Sequence, residues 1–139
     1  MSSAYSSTSI DEIPTVPDGP GPADWKPVRH QFGITAFGIN AWVATEDGQV
    51  LIEEHDELDE PGTAGHEEIY LVTAGRATFT VDGEDVDAPA GTFVAVRDPA
   101  LTRWAIAEEA GTTVVAVGAS PDETFTVSPW EARRLASRD

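Results

Sequence analysis

The sequence predicts an all-β domain of the sandwich or barrel type, because its middle consists of short alternating segments separated by turn residues. Side chains on a strand alternate between two faces, and Ala77, Phe79 and Val81 share one face of the clearest segment. The Asp82-Gly83 pair that follows supplies the positive backbone angles of a two-residue hairpin turn. Strands this short and evenly spaced favour a sandwich or a closed barrel. Further strands are expected at 37–43, 50–54, 68–72, 92–96, 104–107 and 112–117.

The two ends of the chain differ from this middle part. Residues 1–24 are rich in Ser, Pro, Gly and Asp, a composition that buries little apolar surface, so we expect a flexible arm. An extended arm that packs across a partner subunit is the alternative. The barrel is assigned to 25–127. Residues 128–131, Ser-Pro-Trp-Glu, carry the cap, proline and glutamate signals of a helix start, which predicts a short helix over 128–139. Trp130 and Leu135 are expected to anchor this helix by packing.

Composition limits the function. The 139 residues include 25 acidic and 8 basic side chains, giving a formal net charge of −17. Nucleic acids and anionic membranes attract basic surfaces, so neither is expected as a partner. No apolar run approaches the roughly 20 residues of a membrane helix. The chain has no Cys, which excludes disulfides and thiolate zinc sites and favours a cytoplasmic location.

Two stretches of the middle part resemble motifs of the cupin family. Glu68 and Gly75 have the spacing that ends the first cupin motif, in which H-x-H precedes the Glu. The Pro-Ala-Gly-Thr-Phe-Val run at 89–94 resembles the start of the second motif, and the Val-Asp-Gly-Glu run at 81–84 is similar to the hairpin between the two. The resemblance covers roughly residues 34–120. It implies a double-stranded β-helix, the cupin jelly-roll barrel, and a homodimer, since cupins often pair through their sheets.

The resemblance also implies a metal site, but other residues occupy the usual ligand positions. Residues 61–64, where H-x-H is expected from the position of Glu68, contain no His, and Thr102 stands at the His position of the second motif. We therefore predict an alternative site with two imidazoles and one carboxylate, formed by His55, His66 and Glu68. Such a ligand set would suit iron, manganese, nickel, copper or zinc.

The same reasoning predicts residues of the barrel hollow. Tyr70 lies two residues after Glu68 and shares its face of the strand. An inward carboxylate needs a partner to stay charged, so Arg103 or Arg76 would pair with Glu68 if no metal is bound. The residues expected to line the hollow are Tyr70, Glu57, Thr102 and Arg103.

These observations support two functions of different classes. The first is a single-domain cupin that binds a small organic molecule in its barrel, with a degenerate or weak metal site and no certain cofactor. The second is a metal-dependent cupin enzyme of the oxygenase or isomerase type. The sequence identifies no catalytic residue and leaves open whether the protein is an enzyme.

Overall fold

The computed structural model describes residues 4–58 and 65–136. Nine strands, two short α-helices and one 3-10 helix form this part of the chain. The elements are a 3-10 helix (Ile10–Glu12), β1 (Asp24–Lys26), α1 (Val28–Phe32), β2 (Gly38–Val43), β3 (Val50–His55), β4 (Glu67–Ala74), β5 (Arg76–Val81), β6 (Glu84–Pro89), β7 (Phe93–Val96), β8 (Arg103–Ala107), β9 (Thr113–Ala119) and α2 (Pro129–Leu135).

The strands form two antiparallel sheets that face each other. One sheet has five strands in the order β1-β2-β9-β4-β7, and the other has four in the order β3-β8-β5-β6. Neighbours in sequence lie in different sheets at several points, which is the crossing pattern of a jelly roll. The predicted all-β, double-stranded β-helix is confirmed by this arrangement and by the similar solved structures reported below.

The core lies between the inner faces of the two sheets. Tyr70 and Val72 point inward from β4, and Ala77 and Phe79 point inward from β5; all four are buried. The rings of Tyr70 and Phe79 meet across the two sheets with centroids 5.2 Å apart. The alternation predicted for the β5 segment is therefore the alternation that builds the core, and the turn at Asp82 and Gly83 has the predicted positive φ at both residues.

The two outer faces of the barrel differ. On the five-stranded sheet, the registers place two rows of uncharged apolar residues side by side, and Phe93 and Ile69 are 64% and 39% exposed. On the four-stranded sheet, polar contacts such as the one between Arg76 and Asp87 cover the surface. Antiparallel sheets usually present polar side chains to water, so the first face is unusual. The predicted homodimer stays a prediction. The rows are Ile39, Val117, Ile69 and Ala95, and Ala41, Val115, Leu71 and Phe93, of which Ala41, beside β1, is buried.

Part of the segment predicted as a flexible arm packs on the barrel of its own chain. Ile13, Val16 and Ala23 are buried, and the Val16 N–H donates to the carbonyl of Trp25 over 3.1 Å. The Lys26 ammonium donates to the carbonyl of Ile13 over 2.9 Å. The structure thus differs from the expectation over 13–24, because a few well-spaced apolar side chains dock this Pro- and Gly-rich segment.

The C-terminal helix forms as α2, but its start differs from the predicted capping box. Ser128 makes no side-chain cap hydrogen bond, and Glu131 turns inward, where it is only 3% exposed. Leu135 is buried and Trp130 packs on the core, as expected for the two anchors. The predicted span 128–139 includes residues 137–139, which lie outside the described part. None of the helices described here is long and apolar enough to cross a membrane.

A tight contact at the β4–β5 turn gives a stability prediction. Gly75 has φ of +72°, and a β carbon there would lie 2.4 Å from Thr112 Oγ1 and 2.7 Å from its Cα. Gly83 also has positive φ, but nothing lies within 4 Å of its β-carbon position. We expect Gly83→Ala to cost about 1 kcal/mol of unfolding free energy for its backbone alone, and Gly75→Ala to cost about 2 kcal/mol more because Thr112 must move.

Urea unfolding of the two variants measures this difference. Equal losses of stability at the two positions would show that the packing around Thr112 gives way easily, and would contradict the prediction.

Candidate functional site in the barrel cavity

A cavity of about 240 Å³ opens between the sheets. Its walls combine strands of both sheets with the segment before β1 and the segment after β9. The lining residues used below are Gly21, Asn40, Trp42, Glu53, Glu54, His55, Asp56, Glu57, His66, Glu68, Tyr70, Ala116, Gly118, Phe125, Trp130 and Glu131.

A buried guanidinium holds the carboxylate at the centre of this cavity. Arg103 begins β8 and is fully buried, and its Nη1 donates to Glu68 Oε1 over 3.1 Å. The Tyr70 hydroxyl, two residues along β4, donates to the same oxygen. The remaining donors of Arg103 are directed to the carbonyls of Leu101 and Asp98, at 2.9 and 3.4 Å. The charge of Glu68 is thus compensated inside the protein, and the orientation of Arg103 is fixed by the backbone.

Two histidines flank a second carboxylate. Glu57 Oε2 lies 3.2 Å from His55 Nε2, and Glu57 Oε1 lies 3.4 Å from His66 Nδ1. His55 also approaches Glu68, with Nε2 3.7 Å from Oε1, while its Nδ1 lies 2.8 Å from the carbonyl of Glu53. Because that carbonyl can only accept, Nδ1 carries a hydrogen, and His55 connects the two carboxylates.

The proximity of these groups shifts their proton affinities. Burial alone would lower the pKa of His55, but its contacts with Glu57 and Glu68 outweigh burial and raise the pKa to about 10. Burial would raise the pKa of Glu57, but hydrogen bonds to His55 and His66 lower it to about 2. Burial and the neighbouring charge of Glu68 raise the pKa of Tyr70, so its hydroxyl remains a donor. At neutral pH the cluster therefore contains paired opposite charges.

A second buried network joins the ends of the domain at the far wall of the cavity. Glu131 of α2 accepts from Arg29 of α1 over 2.6 Å and from the amide of Asn40 on β2 over 3.3 Å. The indole of Trp25 donates to Asn40 over 2.9 Å. This network fixes α2 against the barrel, so Trp130 and Glu131 become part of the cavity wall.

The structure brings most of the predicted site residues together. The predicted metal ligands His55, His66 and Glu68 all line the cavity, as do Glu57 and Tyr70 among the predicted pocket residues. Arg103 lies behind Glu68 rather than on the cavity surface, and of the two guanidiniums considered it is the one that pairs with Glu68. Arg76 instead pairs with Asp87 on the surface.

Thr102 does not line the cavity. Side chains alternate along a strand, and Arg103 points inward at the start of β8. Thr102, the residue before it, therefore points outward and is exposed. The motif positions at 61–64 lie outside the described residues.

A metal ion would find a different donor set from the predicted one. Ligand atoms of His55, Glu57 and Glu68 all lie within 4.8 Å of one another, so these three residues could hold an ion. One imidazole and two carboxylates match the nitrogen and oxygen preferences of several divalent metals. Glu57 thereby takes the place predicted for His66. The buried guanidinium of Arg103, however, lies 3.1 Å from Glu68 Oε1, so one oxygen of that carboxylate already has a cationic partner.

Sequence reasoning missed the contribution of the C-terminal segment. Phe125, Trp130 and Glu131 line the cavity, although the sequence suggested packing for Trp130 and a cap for Glu131. The one signal available was Asn40, a polar residue between Ile39 and Ala41 in an otherwise apolar strand, because a buried amide requires a polar partner elsewhere.

No model of a known protein family matches the sequence, and no curated protein matches it either. Solved structures do match. A cupin protein from Bacteroides fragilis is 16% identical, with 92% of this chain and 96% of that chain covered and a TM-score of 0.62. A protein with a double-stranded β-helix domain from Klebsiella pneumoniae is 17% identical, with 89% and 97% covered and a TM-score of 0.62.

A sugar phosphate isomerase of the cupin superfamily from Silicibacter pomeroyi is also similar, at 16% identity, with 87% of this chain and 76% of that chain covered and a TM-score of 0.65. At these identities the matches establish the fold. The chain has the cupin fold, as the two motifs around Glu68 and 89–94 predicted.

The buried pair of Arg103 and Glu68 gives a second stability prediction. Arg103→Met leaves Glu68 without its cationic partner and should lower the unfolding free energy by about 3–5 kcal/mol. Adding Glu68→Gln removes the uncompensated charge, so the double variant should be less destabilised than the sum of the single variants, by about 1–3 kcal/mol.

Urea unfolding of the two single variants and the double variant measures this coupling. Arg76→Met is the matched control, because that guanidinium pairs with Asp87 in full contact with water and its loss should change stability little. Strict additivity of Arg103→Met and Glu68→Gln would contradict the assigned pairing.

The imidazole of His55 gives a prediction on pH. An unfolded His releases its proton near pH 6.5, whereas folded His55, with its raised pKa, holds it to about pH 10. The folded state then binds more protons over this range, so the contribution of His55 is complete below pH 6.5 and declines as the pH rises towards 10. In His55→Gln, the free energy of unfolding should fall less steeply over that range than in the wild type. Parallel pH profiles in urea unfolding would contradict the pairing of His55 with Glu57 and Glu68.

Proposed function

We propose that the protein binds a small organic molecule in the barrel cavity and that this binding requires no metal ion. The observation that carries the proposal is the buried pair of Arg103 and Glu68. A carboxylate in a barrel of this kind needs a cation beside it, and the guanidinium supplies that charge 3.1 Å away. The charge of Glu68 is therefore already paired with a cation that the chain itself provides.

The shape and walls of the cavity support an organic ligand. The lining combines the polar groups of His55, Glu57 and Glu68 with the rings of Trp42 and Trp130. Small-molecule sites in proteins commonly combine mostly apolar walls with a few convergent polar groups that orient the ligand. We expect a ligand with an apolar body on the indole side and hydrogen-bonding atoms on the carboxylate side.

A metal-dependent cupin enzyme, of oxygenase or isomerase type, is the second candidate. The closeness of His55, Glu57 and Glu68 favours it, and so does the similarity to the sugar phosphate isomerase fold. A bound metal would supply Lewis acidity to a substrate oxygen. In that case Tyr70 and Arg103 would orient Glu68, and the indoles would exclude water from the substrate.

Metal analysis distinguishes the two candidates. Protein purified without a nickel column should contain far less than one metal ion per chain. Its melting temperature should not rise on adding iron, manganese, nickel, copper or zinc, because a ligand of the native state would stabilise it. A stoichiometric metal that both His55→Ala and Glu68→Gln remove would contradict the proposal and support the enzyme.

Ligand binding in the cavity is tested with small phenyl compounds. At least one of phenethylamine, phenethyl alcohol and phenylacetate should quench the fluorescence of Trp42 or Trp130 in a saturable way. Ala116→Leu, which places a larger side chain in the cavity, should weaken this binding. Ala95→Leu is the matched control, because Ala95 is exposed on the outer sheet face. Binding of none of the three compounds, or equal binding to both variants, would count against the cavity.

A further inference from the structure

We propose that the ligand of the cavity is a small organic cation, an amine carried on an apolar body, and that anionic ligands are excluded. This inference rests on the proposed function and adds the charge of the ligand to it. The site is the barrel cavity described above, and three of its features favour a positive charge on the ligand.

The first feature is the balance of charged groups around the cavity. Six lining residues are carboxylates, whereas the lining residues include no Lys or Arg in the described part of the chain. The six carboxylates still outnumber the cations if both cavity imidazoles carry protons and Arg29, Arg103 and Arg134 are counted from behind the wall, because these make five. An approaching anion therefore meets a negative potential, which the net charge of −17 reinforces. The carboxylates are Glu53, Glu54, Asp56, Glu57, Glu68 and Glu131.

The second feature is the lack of cationic donors for an anion. A phosphate or carboxylate ligand is usually held by guanidinium or ammonium groups that face it. Here the Arg103 guanidinium is directed to Glu68 and two carbonyls, and Arg29 is directed to Glu131 and the carbonyl of Ile34. The guanidiniums nearest the cavity are thus already engaged with the protein.

The third feature is the presence of acceptors and ring faces where a cation would lie. Gly118 lines the cavity beside Glu68, and a β carbon at that position would lie 3.7 Å from Glu68 Oε2. The Glu67 carbonyl oxygen would lie 3.2 Å from the same β carbon, so the side-chain-free surface at Gly118 carries two acceptor oxygens. Trp42 and Trp130 also line the cavity, and indole faces attract cations. The Arg134 guanidinium lies 5.8 Å from the Trp130 ring, which shows this attraction within the protein.

A matched set of probes tests the charge of the ligand. Phenethylamine, phenethyl alcohol and phenylacetate share the phenyl body and differ mainly in carrying a positive, a neutral and a negative group. Calorimetric titration at neutral pH and low salt should give the amine about tenfold tighter binding than the alcohol, and the acid weaker binding than the alcohol. Added salt should weaken binding of the amine more than that of the alcohol.

Variants at the carboxylates test the assignment to residues. Glu68→Gln should reduce the affinity for the amine by about tenfold and the affinity for the alcohol much less. Glu54→Gln on the rim, which is exposed and is not part of a buried pair, should reduce amine affinity by a smaller factor if Glu68→Gln does not fold. Glu84→Gln, an exposed carboxylate on β6, is the matched control and should bind all three probes like the wild type.

The outcomes separate this inference from the proposed function. If the alcohol or the acid binds as tightly as the amine, the cavity binds organic molecules but the charge assignment is overturned. Binding of the amine that none of the cavity variants weakens would also overturn it. If none of the three probes binds, the proposed function itself fails.

Discussion

The pair formed by Arg103 and Glu68 is the constraint on which the cavity depends. A carboxylate facing the inside of a barrel is costly unless a partner compensates its charge, and a buried guanidinium has the same requirement. The backbone carbonyls of Leu101 and Asp98 fix the direction of the guanidinium, so Glu68 is held in one orientation. Tyr70 completes the contact from the same strand. The protein thereby keeps a charged group at the centre of its core.

The rest of the polar cluster extends from this pair. His55 lies between Glu68 and Glu57, and its raised pKa keeps it charged between two carboxylates. The positive charges of Arg103 and His55 are thus paired with the protein's own carboxylates. What remains on the cavity walls is a set of acceptor oxygens and the indole rings of Trp42 and Trp130, and the proposed positive charge of a ligand rests on these groups.

The sequence predicted the parts of the structure that local rules control. The hairpin at Asp82 and Gly83 and the alternation along β5 need only neighbouring residues, and both were predicted. The inward positions of β8 depend on register between distant strands, so the sequence left both Thr102 and Arg103 as candidates for the hollow, and only Arg103 points inward. The role of Glu131 could not be predicted either, because its partners Arg29 and Asn40 lie 102 and 91 residues away. A local capping rule predicted one role for Glu131, and its buried contacts with distant residues give it another.

The wall made by Phe125, Trp130 and Glu131 belongs to no strand, although strands form most of the cavity lining. Glu131 is held there by side-chain contacts with Arg29 and Asn40 and not by the ladder of backbone hydrogen bonds that sets the barrel. Substitutions in this stretch can therefore change which molecules fit without disturbing the register of the sheets. This wall and the strands of the barrel are encoded in separate stretches of the polypeptide, so this part of the cavity could diversify in evolution or in the laboratory while the scaffold stays the same.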